Sequence, residues 1–266
     1  MRSLQVLLAV VTSVALTGCI NSTTLVKLKA DGSGTVEQTT LMNVAALKAM
    51  MPGAGQPANG PGIDKADLER TAARMGKGVR LVSAEPAKGA NGFEGSKAVF
   101  AFDDINQIQV SQGPDMGDSR GSSEPSENDP VKFKLTRSGG TSTLTIAFVD
   151  KPGTGGSAGA GDNPLGDMDL TNPMMMNMIK SMFAGFKINI GLEVGGTIVK
   201  TNAEYVTGSH LTLLEMDMEA LLADEAKLKA LQGKLGPDTS FSAVKPYLKD
   251  IKGIKIDGPS ISVEFR

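Results

Sequence analysis

The segment from Thr24 to Gln38 reads Thr-Leu-Val-Lys-Leu-Lys-Ala-Asp-Gly-Ser-Gly-Thr-Val-Glu-Gln. Its first half alternates apolar residues with Lys27 and Lys29, which is typical of a strand that buries one face. Asp31-Gly-Ser-Gly34 is a turn signal, and the residues from Thr35 to Met42 predict the returning strand. The segment therefore predicts a β-hairpin near the start of the fold.

Helices and strands are interspersed along the rest of the chain. Asp64 predicts the N-cap of a helix that ends at Gly76, Asn172-Pro173 opens a second helix, and a third is expected from Asp217 to Leu231. Alternating apolar and polar residues predict strands at Val79–Glu85, Lys97–Asp103, Val131–Arg137, Ser142–Val149, Phe186–Val194, Gly196–Thr201, Leu211–Glu215, Ile254–Asp257 and Ser260–Phe265. This order favours an α+β fold, mainly an antiparallel sheet with helices packed on it.

Two Gly-rich stretches interrupt this pattern. Residues 111–130 consist largely of Gly, Ser, Pro, Asp and Glu, and residues 151–169 are rich in Gly and Ala. Both have little to bury, so we expect them to be flexible insertions. With these two insertions, residues 19–266 are expected to form one α+β domain.

The composition excludes several classes of function. The 27 Lys and Arg residues nearly balance the 29 Asp and Glu residues, and aromatic residues make up only 4% of the chain, so a nucleic-acid partner is not expected. One Cys and one His exclude a disulfide framework and a Cys/His zinc site. We expect no catalytic residues, no cofactor and no metal, because no catalytic constellation is present.

The N-terminus has the pattern of a bacterial export signal. Basic Arg2 precedes an apolar run from Leu4 to Leu16, which at ~1.5 Å per residue is too short to span a bilayer. Leu16-Thr-Gly-Cys19 resembles the lipobox of bacterial lipoproteins, in which the Cys is acylated and the chain is cut before it. This resemblance implies a signal peptide at residues 1–18 and a membrane anchor at Cys19. Ile20 permits outer-membrane delivery, because an Asp there would imply inner-membrane retention.

Two blocks resemble a group of uncharacterised bacterial lipoproteins. The first is Val26-Lys-Leu-Lys-Ala-Asp-Gly-Ser-Gly-Thr-Val-Glu-Gln38, and the second is Ala98-Val-Phe-Ala-Phe-Asp-Asp-Ile-Asn106 after Gly76-Lys-Gly-Val-Arg-Leu-Val82. A more distant similarity is to the LppM-like domain of mycobacterial lipoproteins. The resemblance implies an α+β fold with a Gly-rich hairpin, and it supplies no catalytic residues.

The unusual feature of the chain is the methionine cluster Met174-Met-Met-Asn-Met178 with Met182. Met175, Met178, Ile179, Met182 and Phe186 lie at helical spacing, as a stripe that packs on a core does. Met174, Met176 and Phe183 lie off that stripe and could give the helix a second apolar face. Met175, Met178 and Met182 are therefore candidates to face a hydrophobic ligand, and a minor alternative is Cu(I) binding through their thioethers.

The acidic motifs have structural interpretations. Asp103-Asp104 on a strand would point to opposite faces, so a turn is favoured over a general acid–base pair. Asp31-Gly-Ser-Gly34 begins like a calcium loop, but Val36 and Met42 occupy the positions where an EF-hand needs Gly and Glu. We interpret it as the hairpin turn.

The sequence leads to one main functional hypothesis and one alternative. The first is a non-enzymatic binding or interaction module in the cell envelope, attached to the membrane through lipidated Cys19, with a lipid or an envelope protein as partner. The alternative is a carrier of a hydrophobic ligand, such as a lipid, whose apolar pocket lies under the Met-rich helix at residues 173–185.

Overall fold

The computed structural model describes residues 20–44, 63–113, 130–148, 172–232 and 241–266. It contains thirteen strands in these ranges: β1 Ile20–Leu28, β2 Gly34–Asn43, β3 Arg80–Lys88, β4 Phe93–Phe102, β5 Gln109–Ser111, β6 Pro130–Ser138, β7 Thr141–Phe148, β8 Lys187–Val194, β9 Ile198–Thr201, β10 Val206–Thr207, β11 His210–Asp217, β12 Ile254–Ile256 and β13 Ser260–Phe265. The α-helices there are α1 Lys65–Met75, α2 Pro173–Met182, α3 Met218–Ala223, α4 Glu225–Gln232 and α5 Phe241–Leu248, and a short 3₁₀ helix covers Ile105–Gln107.

The strands form two sheets. The first has eight strands in the order β10-β11-β8-β1-β2-β4-β3, with β12 paired to β11, and the second has five in the order β5-β6-β7-β13-β9. Among the described strands, β1 and β8 are the parallel pair, with Asn21 opposite Lys187 and Leu28 opposite Val194. The α+β class with mainly antiparallel pairing is therefore confirmed.

The inner faces of both sheets join one hydrophobic core. Val26 and Leu28 of β1 are at most 2% exposed, and Phe100 and Phe102 of β4 are equally buried. The second sheet contributes residues from three adjacent strands, among them Phe133, Leu144 and Val263. Because the side chains alternate, each of these strands gives its other face a different, more polar set of residues.

The Asp31–Gly34 turn joins the hairpin to the second sheet. The Asp31 carboxylate accepts hydrogen bonds from Ser33 N at 2.9 Å and Ser33 Oγ at 2.7 Å, which lowers the pKa of Asp31. The φ angle of Gly32 is 83°, and an added Cβ there would lie 2.5 Å from the Arg137 guanidinium of β6. The predicted hairpin turn is confirmed, and the turn packs under β6.

The Asp103-Asp104 turn lies against the same hairpin. Asp104 accepts a hydrogen bond from Asn106 N at 2.9 Å, and Asp103 pairs with Arg80 at 3.0 Å. The following residue, Ile105, donates its N–H to Gly32 O at 2.9 Å. The turn interpretation of the acidic pair is therefore confirmed, and the two blocks that carry the family resemblance meet in space.

Helix boundaries agree with the sequence in part. Asp64 caps α1 by accepting from Ala66 N at 2.9 Å. The single helix expected from Asp217 to Leu231 was wrong, because the chain breaks at Asp224 into α3 and α4. The Asp224 carboxylate accepts from Lys227 N at 3.1 Å, so this residue starts a new helix rather than continuing the old one.

The two expected insertions fall almost wholly outside the described residues. The residues at the ends of the first one, Ser111 and Pro130, pair with each other where β5 meets β6. Residues 151–169 lie outside the described ranges, as do residues 1–18 and Cys19.

We predict that Gly34→Ala lowers the free energy of unfolding by about 2 kcal/mol or more. A Cβ at Gly34 would overlap Lys27 O and lie 2.6 Å from the Phe102 ring. The measurement is urea denaturation followed by circular dichroism, since the chain has no Trp.

Gly258→Ala is the matched control for this experiment. An added Cβ there meets only Ser260 O at 3.8 Å, so its stability should change by less than about 1 kcal/mol. An equal loss in both variants would contradict the role assigned to Gly34.

Candidate functional site

Helix α2 packs on the core through three residues at helical spacing. Asn172 caps the helix by accepting from Met174 N at 3.0 Å. Met176 and Phe183 are each 8% exposed and Ile179 is fully buried, whereas Met174 is 82% exposed. The apolar face of α2 is therefore centred on Ile179, in the core.

The buried face of α2 is wider than the predicted stripe, of which Met175, Ile179 and Phe186 are in the core or packed on it. Met176 and Phe183 were expected off the stripe, yet both are buried. Met175 is partly buried and packs against the core. The side chains of Met178 and Met182 lie outside the described part of the chain, so both the ligand-facing and the copper interpretations of these two residues stay predictions.

The end of α2 is fixed by aromatic contacts. The rings of Phe183 and Phe186 meet edge to face, with centroids 6.1 Å apart and planes at 89°. An added Cβ at Gly185 would lie 2.7 Å from Cζ of Phe93, so this ring lies directly against the Gly185 backbone at the start of β4. Lys180 of α2 also pairs with Glu225 of α4 at 3.2 Å. These contacts hold α2 beside the first sheet.

The inner face of the first sheet carries polar residues that the sequence analysis did not single out. Ser22 is 8% exposed and Thr24 is 5% exposed, on the same face of β1 as buried Val26. Their neighbours in the register are Thr40 and Gln38 of β2. We call these four residues the inner polar row.

The hydroxyls of Ser22 and Thr24 are unusual because both are buried. Within the described part of the chain, the structure records no hydrogen bond from either hydroxyl. On the β8 side, Ser22 lies opposite Ile188 and Thr24 lies opposite Ile190. A buried hydroxyl without a partner costs ~1–3 kcal/mol, so these two groups are available to hydrogen-bond a polar group that enters this face.

The outer face of the same sheet is crossed by ion pairs. Glu37 lies between Lys27 and Lys97, and its distance to Lys97 Nζ is 3.2 Å. The hydrogen bond from Lys27 lowers the pKa of Glu37 and raises the pKa of Lys27. Lys187 pairs with Asp217 at 2.6 Å, which raises the pKa of Lys187. These lysines and acids therefore pair opposite charges across neighbouring strands.

A shallow surface depression lies beside β12. It is lined by Tyr205, Lys245, Leu248, Lys249, Ile254 and Ile256. Lys245 also pairs with Glu204, and this hydrogen bond lowers the pKa of Glu204. Lys245 is therefore already engaged in an ion pair with Glu204.

Asp257 is a buried carboxylate, 6% exposed. It accepts from Gly258 N at 2.8 Å and from Glu204 N at 3.1 Å. Burial raises its pKa, while the two N–H donors act in the opposite direction. Asp257 ties the end of β12 to the loop before β10, which is a structural role.

Two properties of the described residues concern metals and membranes. In the ranges that the structure describes, no three His, Cys, Asp or Glu side chains lie together as a metal site requires. None of the described helices has the length and hydropathy needed to cross a bilayer.

Comparisons with known proteins add one structural likeness. No family model matches the sequence, and no curated protein does. Among solved structures, the chain is similar to the folded domain of the LppM protein of Mycobacterium tuberculosis, determined by NMR. The match covers 94% of this chain and 91% of that domain, with 10% sequence identity and a TM-score of 0.34.

This match is to the LppM domain, which the sequence analysis named as a distant relative, so that resemblance is confirmed. At 10% identity and a TM-score of 0.34 it carries no argument about ligands or activity.

Proposed function

We propose that the chain is a lipid-anchored, non-enzymatic module of the bacterial cell envelope. The observation that supports this most is the position of Ile20. It begins β1, a central strand of the first sheet, and is only 2% exposed. The part of the chain that the structure describes thus opens in a buried strand, at the residue that follows Cys19, where a lipobox would end the signal peptide.

Among the described residues, the acids and bases with shifted pKa values are held in structural contacts, which supports a non-enzymatic role. Glu37, Glu204 and Lys187 have shifted pKa values, and each is held in an ion pair. Asp31 and Asp257 have shifted pKa values as well, and each accepts backbone hydrogen bonds. Catalytic groups often combine a shifted pKa with access to a substrate, whereas these groups hold strands and turns together.

We predict that the native chain fractionates with the membrane and resists extraction by high salt. Two or three acyl chains bind a bilayer stably, at ~0.8 kcal/mol per buried CH₂. The same domain, secreted from Ile20 behind a cleavable signal that lacks a Cys, should be soluble after cell lysis. Immunoblotting of membrane and soluble fractions is the measurement, and equal distribution of the two forms would contradict the proposal.

A second candidate function is the transport or display of an amphipathic lipid. The specific observation that favours it is the pair of buried hydroxyls of Ser22 and Thr24, for which no hydrogen bond is recorded among the described residues. They lie on a face that also carries Ile188 and Ile190, so this face offers hydrogen-bonding groups next to apolar ones. Lipids with polar head groups and acyl chains require both.

We predict that Thr24→Val reduces co-purifying lipid by about fivefold, the effect of losing a hydrogen bond of ~1 kcal/mol. Valine keeps the shape of threonine and removes only the hydroxyl, so the variant should be at least as stable as the parent. Native mass spectrometry with lipid extraction, on residues 20–266 secreted into a bacterial periplasm, gives the lipid-to-protein ratio.

Thr23→Val is the matched control. Thr23 is the preceding residue in β1 and lies on the outer face of the sheet. Its substitution should leave the lipid-to-protein ratio unchanged. A parent protein that carries no lipid would remove the carrier hypothesis and leave the interaction module.

A further inference from the structure

The short connection between the anchor and the fold constrains how the domain meets the membrane. Ile20 is buried and pairs with Met42 of β2, and Asn21 pairs with Lys187 of β8. Cys19 is the preceding residue, so its Cα lies ~3.8 Å from that of Ile20. An acyl group on Cys19 would therefore be tethered to the sheet without a linker.

Several strands of the first sheet have an end beside Ile20. β2 ends at Asn43, β4 begins at Phe93 opposite Asn43, and β8 begins at Lys187. β3 ends at Lys88, opposite Glu94 of β4. We call the rim formed by Ile20, Asn43, Phe93, Lys187 and the exposed β3–β4 turn at residues 89–92 the anchor end.

The chemistry of the anchor end fits the boundary between water and lipid. Phe93 is half-buried there, with its ring against Gly185 and close in sequence to the exposed turn. The Lys88 side chain is 80% exposed and that of Lys187 is 46% exposed, and each is in an ion pair with an acid of the neighbouring strand. Lysines can extend their alkyl stems along apolar surface and keep their ammonium groups in the head-group layer.

The opposite end of the sheet lies far from the anchor. β1 runs nine residues from Ile20 to Leu28, which at ~3.3 Å per residue is ~26 Å between the two Cα atoms. The Lys29–Ser33 turn follows Leu28 directly. An acyl group on Cys19 would thus keep the Ile20 end of the sheet near the bilayer and leave the Leu28 end ~26 Å away along the strand.

We propose that the anchor end lies against the bilayer surface and that the absence of a linker holds it there. This inference rests on the proposed lipidation of Cys19. The occupant of the anchor end is the phospholipid bilayer in which the acyl chains are inserted, and the Asp31–Gly34 turn lies away from it.

The test uses the full-length lipoprotein in vesicles of phosphatidylethanolamine and phosphatidylglycerol. Cys19 is the single Cys of the chain and its thiol is acylated, so an introduced Cys is the one thiol available for labelling. Ala90→Cys places an environment-sensitive fluorophore in the β3–β4 turn, and Lys29→Cys places it at the far end as the matched control. Both positions are exposed. Quenching by spin-labelled lipid head groups is measured.

We expect quenching at position 90 to be at least about threefold stronger than at position 29, because the two ends are separated by ~26 Å of strand. Equal quenching at the two positions would overturn the proposal. Low quenching at both positions would also overturn the proposal, and would favour a protein partner at the anchor end. Failure of the chain to float with the vesicles would instead refute the lipid anchor itself.

A linker variant tests whether the short tether is the cause. Ten Gly and Ser residues inserted between Cys19 and Ile20 would allow an average separation of ~17 Å. Quenching at position 90 should then fall to the level at position 29, while flotation with the vesicles is unchanged. Undiminished quenching at position 90 would overturn the role of the tether.

Discussion

The close approach of the Phe102 ring to Gly34 organises the rest of the molecule. Gly34 begins β2 and pairs with Leu28 of β1 and with Phe102 of β4. Three strands therefore lie side by side at a residue that has no side chain. The ring of Phe102 occupies that space, at the point where the Asp31–Gly34 turn packs under β6 of the second sheet. The hairpin, the central strands and the junction between the sheets all depend on this contact.

Local patterns in the sequence predicted most of the first sheet. The hairpin, its turn, the Asp64 cap and the Asp103-Asp104 turn each depend on residues within a few positions of one another, and each was confirmed. The break at Asp224 was missed, because the same apolar spacing fits one long helix or two short ones. The parallel pairing of β1 with β8 joins residues far apart in the chain, and no local pattern encodes it.

The candidate site was harder to predict than the fold. The Met-rich helix was recognised, but the width of its buried face was not, because Met176 and Phe183 are buried together with Ile179. Ser22 and Thr24 could have been found by extending the alternation of Val26 and Leu28 backwards to Ile20. Only the structure, however, shows that their hydroxyls are buried, because burial depends on elements distant in sequence. Strand β1 links the proposed anchor to the inner polar row, since its first residue follows Cys19 and its inner face carries Ser22 and Thr24.

The most direct test of this account is the mass of the N-terminal peptide of the mature protein from native membranes. We expect a chain that begins at Cys19, with a diacylglyceryl group on its sulfur, since both the proposed membrane attachment and the proposed orientation of the sheet depend on that modification. A mature chain with an unmodified Cys19, or one that begins at another residue, would contradict it.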